Sequence, residues 1–229
     1  MRLDLKQLPL GPRGLAPRRG ARTGPSVEPV KVMYCIDAID RGGTESQLAG
    51  LINRLDRREF APRLCTLRPS SSLLSEIDCP KLELDVRRLM SSSALAKMQR
   101  LAALLREERV GIVQTFFQDS TVFGLAAARL ATVPVRVVAF RDLGFWRTPS
   151  REFLMRSVYP WATGFLANSL AVRDQACAAD RLAPERVRVI HNGIDSRMYP
   201  FVDHPEGEIA IGIVGNLNRR VKRADLFLR

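Results

Sequence analysis

From Val30 onward, short apolar runs alternate with longer stretches whose apolar positions recur every three to four residues. "VKVMYCI" reads as a buried strand, and "TESQLAGLINRLDRR" follows as a helix with Leu48, Leu51, Ile52 and Leu55 on one face. Thr44 and Gln47 have the spacing of a capping box, which predicts the helix start near Thr44. "APRLCTL" is the next strand and "KLELDV" a short extended piece. In "SSSALAKMQRLAALLREERV" the inward face is Leu95, Met98, Leu101, Ala102 and Leu105.

The rhythm continues with the strands "GIVQTFF", "VPVRVVAF", "TGFLANS" and "RVRVIHNGID". Between them lie the helices "STVFGLAAARLA", "SREFLMRSVYPWA" and "LAVRDQACAAD". Uninterrupted apolar strands alternating with helices predict a parallel sheet covered on both faces, an α/β doubly wound, Rossmann-like domain over residues 29–200. Residues 1–28 lack this periodicity, are rich in Pro, Gly and Arg, and read as a flexible basic leader. After the polar, proline-containing "YPFVDHPEGE", the pattern restarts with "IAIGIVGNLNRRVKRADLFLR". Residues 201–229 are therefore expected to hold a linker and the first strand and helix of a second, truncated α/β domain.

In open parallel sheets, ligands bind where strands run out into helices. Gly42-Gly43 stands at such a point, ahead of a helix whose free N–H groups and positive end suit an anion. Glycine allows the close approach that a Cβ would block. The spacing is neither G-x-G-x-x-G nor a P-loop, which disfavours a nicotinamide cofactor and a Walker-type NTPase.

Composition changes this picture little. The chain has 229 residues, 46% hydrophobic and 26% charged, which is ordinary for a globular protein. A net charge of +12 suits anionic ligands, membrane surfaces or nucleic acid without choosing among them. The charges are scattered and no stacking array of aromatics accompanies them, which argues against nucleic acid as a partner. Cys35, Cys65, Cys79 and Cys177 lie far apart, and with His191 and His204 they offer no metal spacing. Reduced thiols, no signal-peptide core and no run near the ~18 apolar residues of a span predict a cytoplasmic protein. Peripheral contact with the inner face of a membrane is compatible with that reading.

Three further stretches, "ANS" (167–169), "VIHNGID" (189–195) and "GNLNRRVKRADLFL" (215–228), complete a pattern with Gly42-Gly43-Thr44-Glu45. Together they resemble the family 4 retaining glycosyltransferases of the GT-B fold, over roughly residues 30–229. The resemblance implies two Rossmann-like domains facing across a cleft. A sugar would pass from a nucleotide-sugar donor to a glycan or lipid-linked acceptor, with retained configuration and a part in polysaccharide biosynthesis. It implies donor or substrate contacts at Gly42, Gly43, Arg141, Asn192, Gly193, Gly215, Arg219 and Lys222, with Lys222 beside the donor diphosphate. It implies no metal and no cofactor, so that basic side chains neutralise the leaving group.

Two departures stand out. Asn216 occupies a position where many relatives carry Arg, leaving Arg219 or Arg220 to reach a phosphate. Arg141-Asp142 stands where many carry His, in an "RDLG" stretch like that of transferases building exported polysaccharides. The alternative for this pair is a local ion pair holding its loop. No catalytic residue can be assigned. His191 reads as a strand-end packing residue, and Trp146 and Trp161 as core or interface packing residues, with contact to an acceptor as the alternative. A non-catalytic nucleotide- or anion-binding module remains the second reading of the whole. The 229-residue chain alone is expected to be inactive as a transferase.

Overall fold

The computed structural model describes residues 28–40, 42–70, 72–198, 211–213 and 224–227. Seven strands form one parallel sheet in the order β3-β2-β1-β4-β5-β6-β7. They are β1 (Val30–Ile36), β2 (Phe60–Thr66), β3 (Lys81–Glu83), β4 (Ile112–Phe116), β5 (Val135–Phe140), β6 (Gly164–Ala167) and β7 (Val187–Val189). Five helices connect them: α1 (Gly43–Arg54), α2 (Ser92–Glu107), α3 (Gln118–Leu130), α4 (Pro149–Val158) and α5 (Leu170–Asp180). The order reverses between β1 and β4, which makes their carboxyl ends the switch point of a doubly wound sheet. The expected fold class is therefore observed.

Side chains alternate across β1 as the period of a strand requires. Met33 and Cys35 face the layer of α2 and α3, packing with Leu101, Leu105, Phe123 and Ala127. Val32, Tyr34 and Ile36 face the layer of α1, with Leu48 and Ile52. A third cluster joins Val138 and Phe165 of the sheet to Leu125, Met155 and Tyr159. Gly124 lets α3 lie close on the sheet, because a Cβ there would stand 2.8 Å from Thr115 Cγ2 and 3.2 Å from Cys35 Cβ.

Several expectations need correction. Leu51 and Leu95, expected inward, are 43% and 53% exposed, while Ala49 and Ala94 are buried. Each leucine sits at the edge of a stripe that the sheet covers only in its centre. The capping box does not form: α1 begins at Gly43 with Gly42 as N-cap, and Gln47 is engaged elsewhere. β7 ends at Val189, so His191 lies beyond it, exposed rather than packed. Trp146 and Trp161 do pack, half-buried, against the third cluster. All four cysteines are free thiols. Of the stretch read as a second domain, only 211–213 and the helical turn Ala224–Phe227 are described, so Gly215, Arg219 and Lys222 lie outside the described residues. No helix among the described residues is long and apolar enough to cross a membrane.

Candidate functional site at the carboxyl edge of the sheet

The two glycines that end the β1 loop play different parts. A Cβ on Gly42 would run into the carboxyl of Glu45, which is buried and folds back over the turn. A Cβ on Gly43 would meet nothing within 4 Å. The first requirement is therefore internal to the chain, and the space beside the second is open. Gly42 supplies no side-chain cap to α1. Ser91, Thr148 and Ser169 cap α2, α4 and α5 with their hydroxyls. At the start of α1 the carboxylate of Glu45, in its first turn, lies over the N-terminus instead of a capping hydroxyl.

At α3 a cap arrives from a distance. Its N-cap residue, Phe117, has φ 62° and ψ −176°, a backbone region that side chains disfavour by about 1–3 kcal/mol. The carboxylate of Asp37, immediately after β1, accepts from Ser120 N at 2.7 Å instead. Arg68, just past β2, pairs with both Asp37 and Asp119. Burial pushes the Asp37 carboxyl up, against the lowering pull of its Ser120 bonds and of Arg68. This network closes the switch point with one guanidinium shared between two carboxylates. Sequence reading missed it, because its members come from three strand ends far apart in the chain.

The segment after β7 runs back across the sheet as a strap. Ile190 N donates to Ala167 O at 2.9 Å, which holds the strap to the end of β6. Arg141 Nη2 donates to Asn192 Oδ1 at 2.8 Å, which ties it to the end of β5. Gln47 Nε2 donates to Gly193 O at 2.8 Å, and Gly193 N donates back to Gln47 Oε1 at 3.1 Å, which ties it to α1. Asp195 then pairs with Arg54 at 3.5 Å and Arg197 at 2.8 Å. Hydrogen bonds from Arg197, helped by Arg54, hold the Asp195 carboxyl at about 2. β7 lies four strand spacings from β1, roughly 19 Å. Four extended residues span at most about 14 Å, so the Gln47 side chain supplies the remaining reach.

Gly42, Gly43, Arg141, Asn192 and Gly193, five of the residues singled out in the sequence, are thereby gathered along one edge. Arg141 forms no ion pair with Asp142; that carboxylate accepts from Gly144 N at 2.6 Å and shapes its own turn. Beside Arg141 lies a small cleft of about 30 Å³, lined also by Phe117, Gln118, Trp146, Tyr159 and Gln175. Burial draws the Arg141 guanidinium below the usual arginine value, but it remains a cation. Its Nε is buried without a partner, as is Asn168 Oδ1 next to it. Among the described residues no three His, Cys, Asp or Glu side chains meet as a metal cage.

A parallel sheet with a polar, open carboxyl edge at its switch point defines the class: a doubly wound, Rossmann-like α/β domain. HepE of Anabaena, solved with UDP, superposes with a TM-score of 0.63 at 18% identity, over 74% of this chain and 46% of that one. The lipopolysaccharide outer core galactosyltransferase WaaB gives 0.56 at 16%, over 72% and 46%. UDP-GlcNAc 2-epimerase from Neisseria meningitidis, bound to UDP-GlcNAc, gives 0.51 at 13%, over 70% and 45%. At such identities the likeness shows the fold alone, and an epimerase shares it. The family profile decides more: that of Glycosyltransferase Family 4 matches residues 41–197. The chain belongs to glycosyltransferase family 4. It spans less than half the length of each of these solved proteins. No curated protein sequence matches it significantly.

Proposed function

We propose that this chain is the acceptor-side part of a retaining glycosyltransferase that moves a sugar from a nucleotide-sugar donor to a glycan or lipid-linked acceptor. The observation that carries the reading is the strap. It brings Asn192 and Gly193 over the same edge as Arg141 and the start of α1, with open space at Gly43. HepE was solved with UDP and glucose, which supports a uridine nucleotide sugar as the class of donor. Gly215, Arg219 and Lys222 are assigned to the donor phosphates, where an ammonium and guanidinium groups stabilise the leaving diphosphate without a metal. The same reading gives the protein a place in polysaccharide biosynthesis, in the cytoplasm against the inner face of a membrane.

The test is Gly43→Val in the full-length enzyme, followed by nucleoside diphosphate release. Turnover should fall about a hundredfold, the effect of displacing a reactant by about an ångström, while the thermal midpoint stays put. Undiminished turnover would make Gly43 a turn residue and remove the site from this edge. The 229-residue chain spans under half of its solved relatives and should show no steady turnover by itself, for lack of a second wall to orient and desolvate the reacting centre.

A further inference from the structure

The loop after β5 carries two arginines with opposite surroundings. Arg147 forks onto Asp180 through Nη1 at 2.9 Å and Nη2 at 2.6 Å, with Glu152 at 3.5 Å. Arg141 lines the cleft, and among the described residues its side chain hydrogen-bonds only the neutral amide of Asn192. No carboxylate among the described residues stands within ion-pair distance of it, and its Nε is shut away from water. A half-buried guanidinium without a counter-ion is held there at a cost, and a bound anion removes that cost. Guanidinium geometry selects a group with two oxygens to offer, a phosphate or a carboxylate.

Exposed apolar side chains stand on the loop and the helix that supply walls of this cleft. Leu143 lines it, and Phe145, on the same loop, is 68% exposed. On α4, Phe153 is 77% exposed, and Arg151 beside it is exposed without a carboxylate partner among the described residues. Large apolar side chains left in water next to unpaired arginines match the boundary between lipid headgroups and acyl chains. A small hydrophilic anion would give Leu143, Phe145 and Phe153 nothing to bury against.

We propose that the cleft beside Arg141 binds the phosphate of a lipid-linked acceptor, with the lipid chain lying against Leu143 and Phe145. The proposal rests on the glycosyltransferase reading and narrows it from a glycan or lipid-linked acceptor to a lipid phosphate. Recognition then has two parts: a bidentate phosphate contact at Arg141, and partition of the exposed Phe145 and Phe153 into the membrane surface.

The experiment measures co-flotation of the 229-residue chain with phosphatidylcholine vesicles that carry polyprenyl phosphate, the same amount of uncharged polyprenol, or phosphatidylglycerol. Binding to polyprenyl phosphate should exceed binding to polyprenol by about ten- to hundredfold, the range of a charge-assisted hydrogen bond. Phosphatidylglycerol should fall well short of it. Arg141→Gln should reduce the polyprenyl phosphate arm to the polyprenol level. Arg141→Lys should retain part of the preference, and Phe145→Ser should weaken all three arms together.

Equal binding to polyprenyl phosphate and polyprenol overturns the proposal. So does equal binding to phosphatidylglycerol, which the net charge of +12 would produce without any site. Displacement by millimolar inorganic phosphate as readily as by lipid would reassign the cleft to a free anion and also overturn it. If Arg141→Gln fails to fold, the three arms with unaltered protein still decide. No donor or turnover enters the measurement. A glycosyltransferase acting on a soluble glycan would therefore keep its Gly43 dependence yet show no phosphate-lipid preference.

Discussion

The carboxyl edge of this sheet has two regions that handle charge differently. On the β1–β2–β4 side, Arg68 is shared between Asp37 and Asp119, and Asp37 also caps α3. On the β5–β7 side, Arg147 and Asp180 are paired, but Arg141 is left with an amide. A closed network fixes where helices and loops lie. An open cation marks where the protein has left work for a ligand. The contrast separates what holds the edge together from what it presents.

The largest effect should come from breaking a closed pair. The Asp180 side chain has no exposure and Arg147 keeps 12%, so Asp180→Ala would strand a buried guanidinium. The expected loss is about 3–5 kcal/mol in chemical denaturation. Arg141→Gln on the open side should cost less than about 1 kcal/mol in the same assay, since no carboxylate is left behind. Equal losses would erase the distinction between the two arginines.

Next comes packing. Gly124→Val would push a side chain into Thr115 and Cys35, both buried on central strands, and should cost about 1–3 kcal/mol. Gly43→Val, with nothing within 4 Å of its Cβ, should stay within about 0.5 kcal/mol of the parent. A thermal midpoint that fell as far for Gly43 as for Gly124 would place Gly43 in the frame of the fold, not at the mouth of a cleft.

How far the sequence revealed this edge depends on the range of each interaction. The alternation of apolar runs is a local property, and it located the strands and the five long helices, with KLELDV read only as an extended piece and the last strand carried six residues too far. Gly43 was placed at this edge because it follows a strand, where open sheets put their ligands, and Arg141, Asn192 and Gly193 were singled out by the family resemblance. The capping box at Thr44 failed because Gln47 has a partner 146 residues away, and local spacing carries no record of that choice. Asp37, Arg68 and Asp119 were invisible for the same reason. Each looks like a solvated loop charge until the parallel register brings the ends of β1, β2 and β4 together. Leu51 and Leu95 show the opposite failure, in which the period was right and the width of the buried stripe was overestimated.

A smaller effect tests whether the strap belongs to the closed or the open region. Gln47→Ala removes the reciprocal bonds to Gly193 and should cost about 1 kcal/mol. More telling is amide exchange at Gly193, which should quicken much more than global unfolding does, because only the strap is released. Quickening that spread evenly over β1 and β4 would make the strap part of the core.

The smallest effect is one of pH. The Asp195 carboxyl is held at about 2, below its ordinary 3.8, by Arg197 first and Arg54 after it. Its folded-state value is depressed, so whatever it contributes is present above about pH 4 and lost as pH falls from there through 2. Asp195 lies against solvent, where screening keeps such pairs weak, so the readout should be local. In Asp195→Asn the strap amides should exchange faster than in the parent at pH 5, and the two proteins should converge as pH drops toward 2. Asp56 supplies the internal control. Its carboxyl is also held at about 2, by Arg58, but it ties only its own turn, and Asp56→Asn should leave Gly193 unmoved at every pH. Were Asp56→Asn to loosen Gly193 as much as Asp195→Asn does, the acid response would belong to the whole charged surface, and the strap would lose its claim to be held by Arg54 and Arg197.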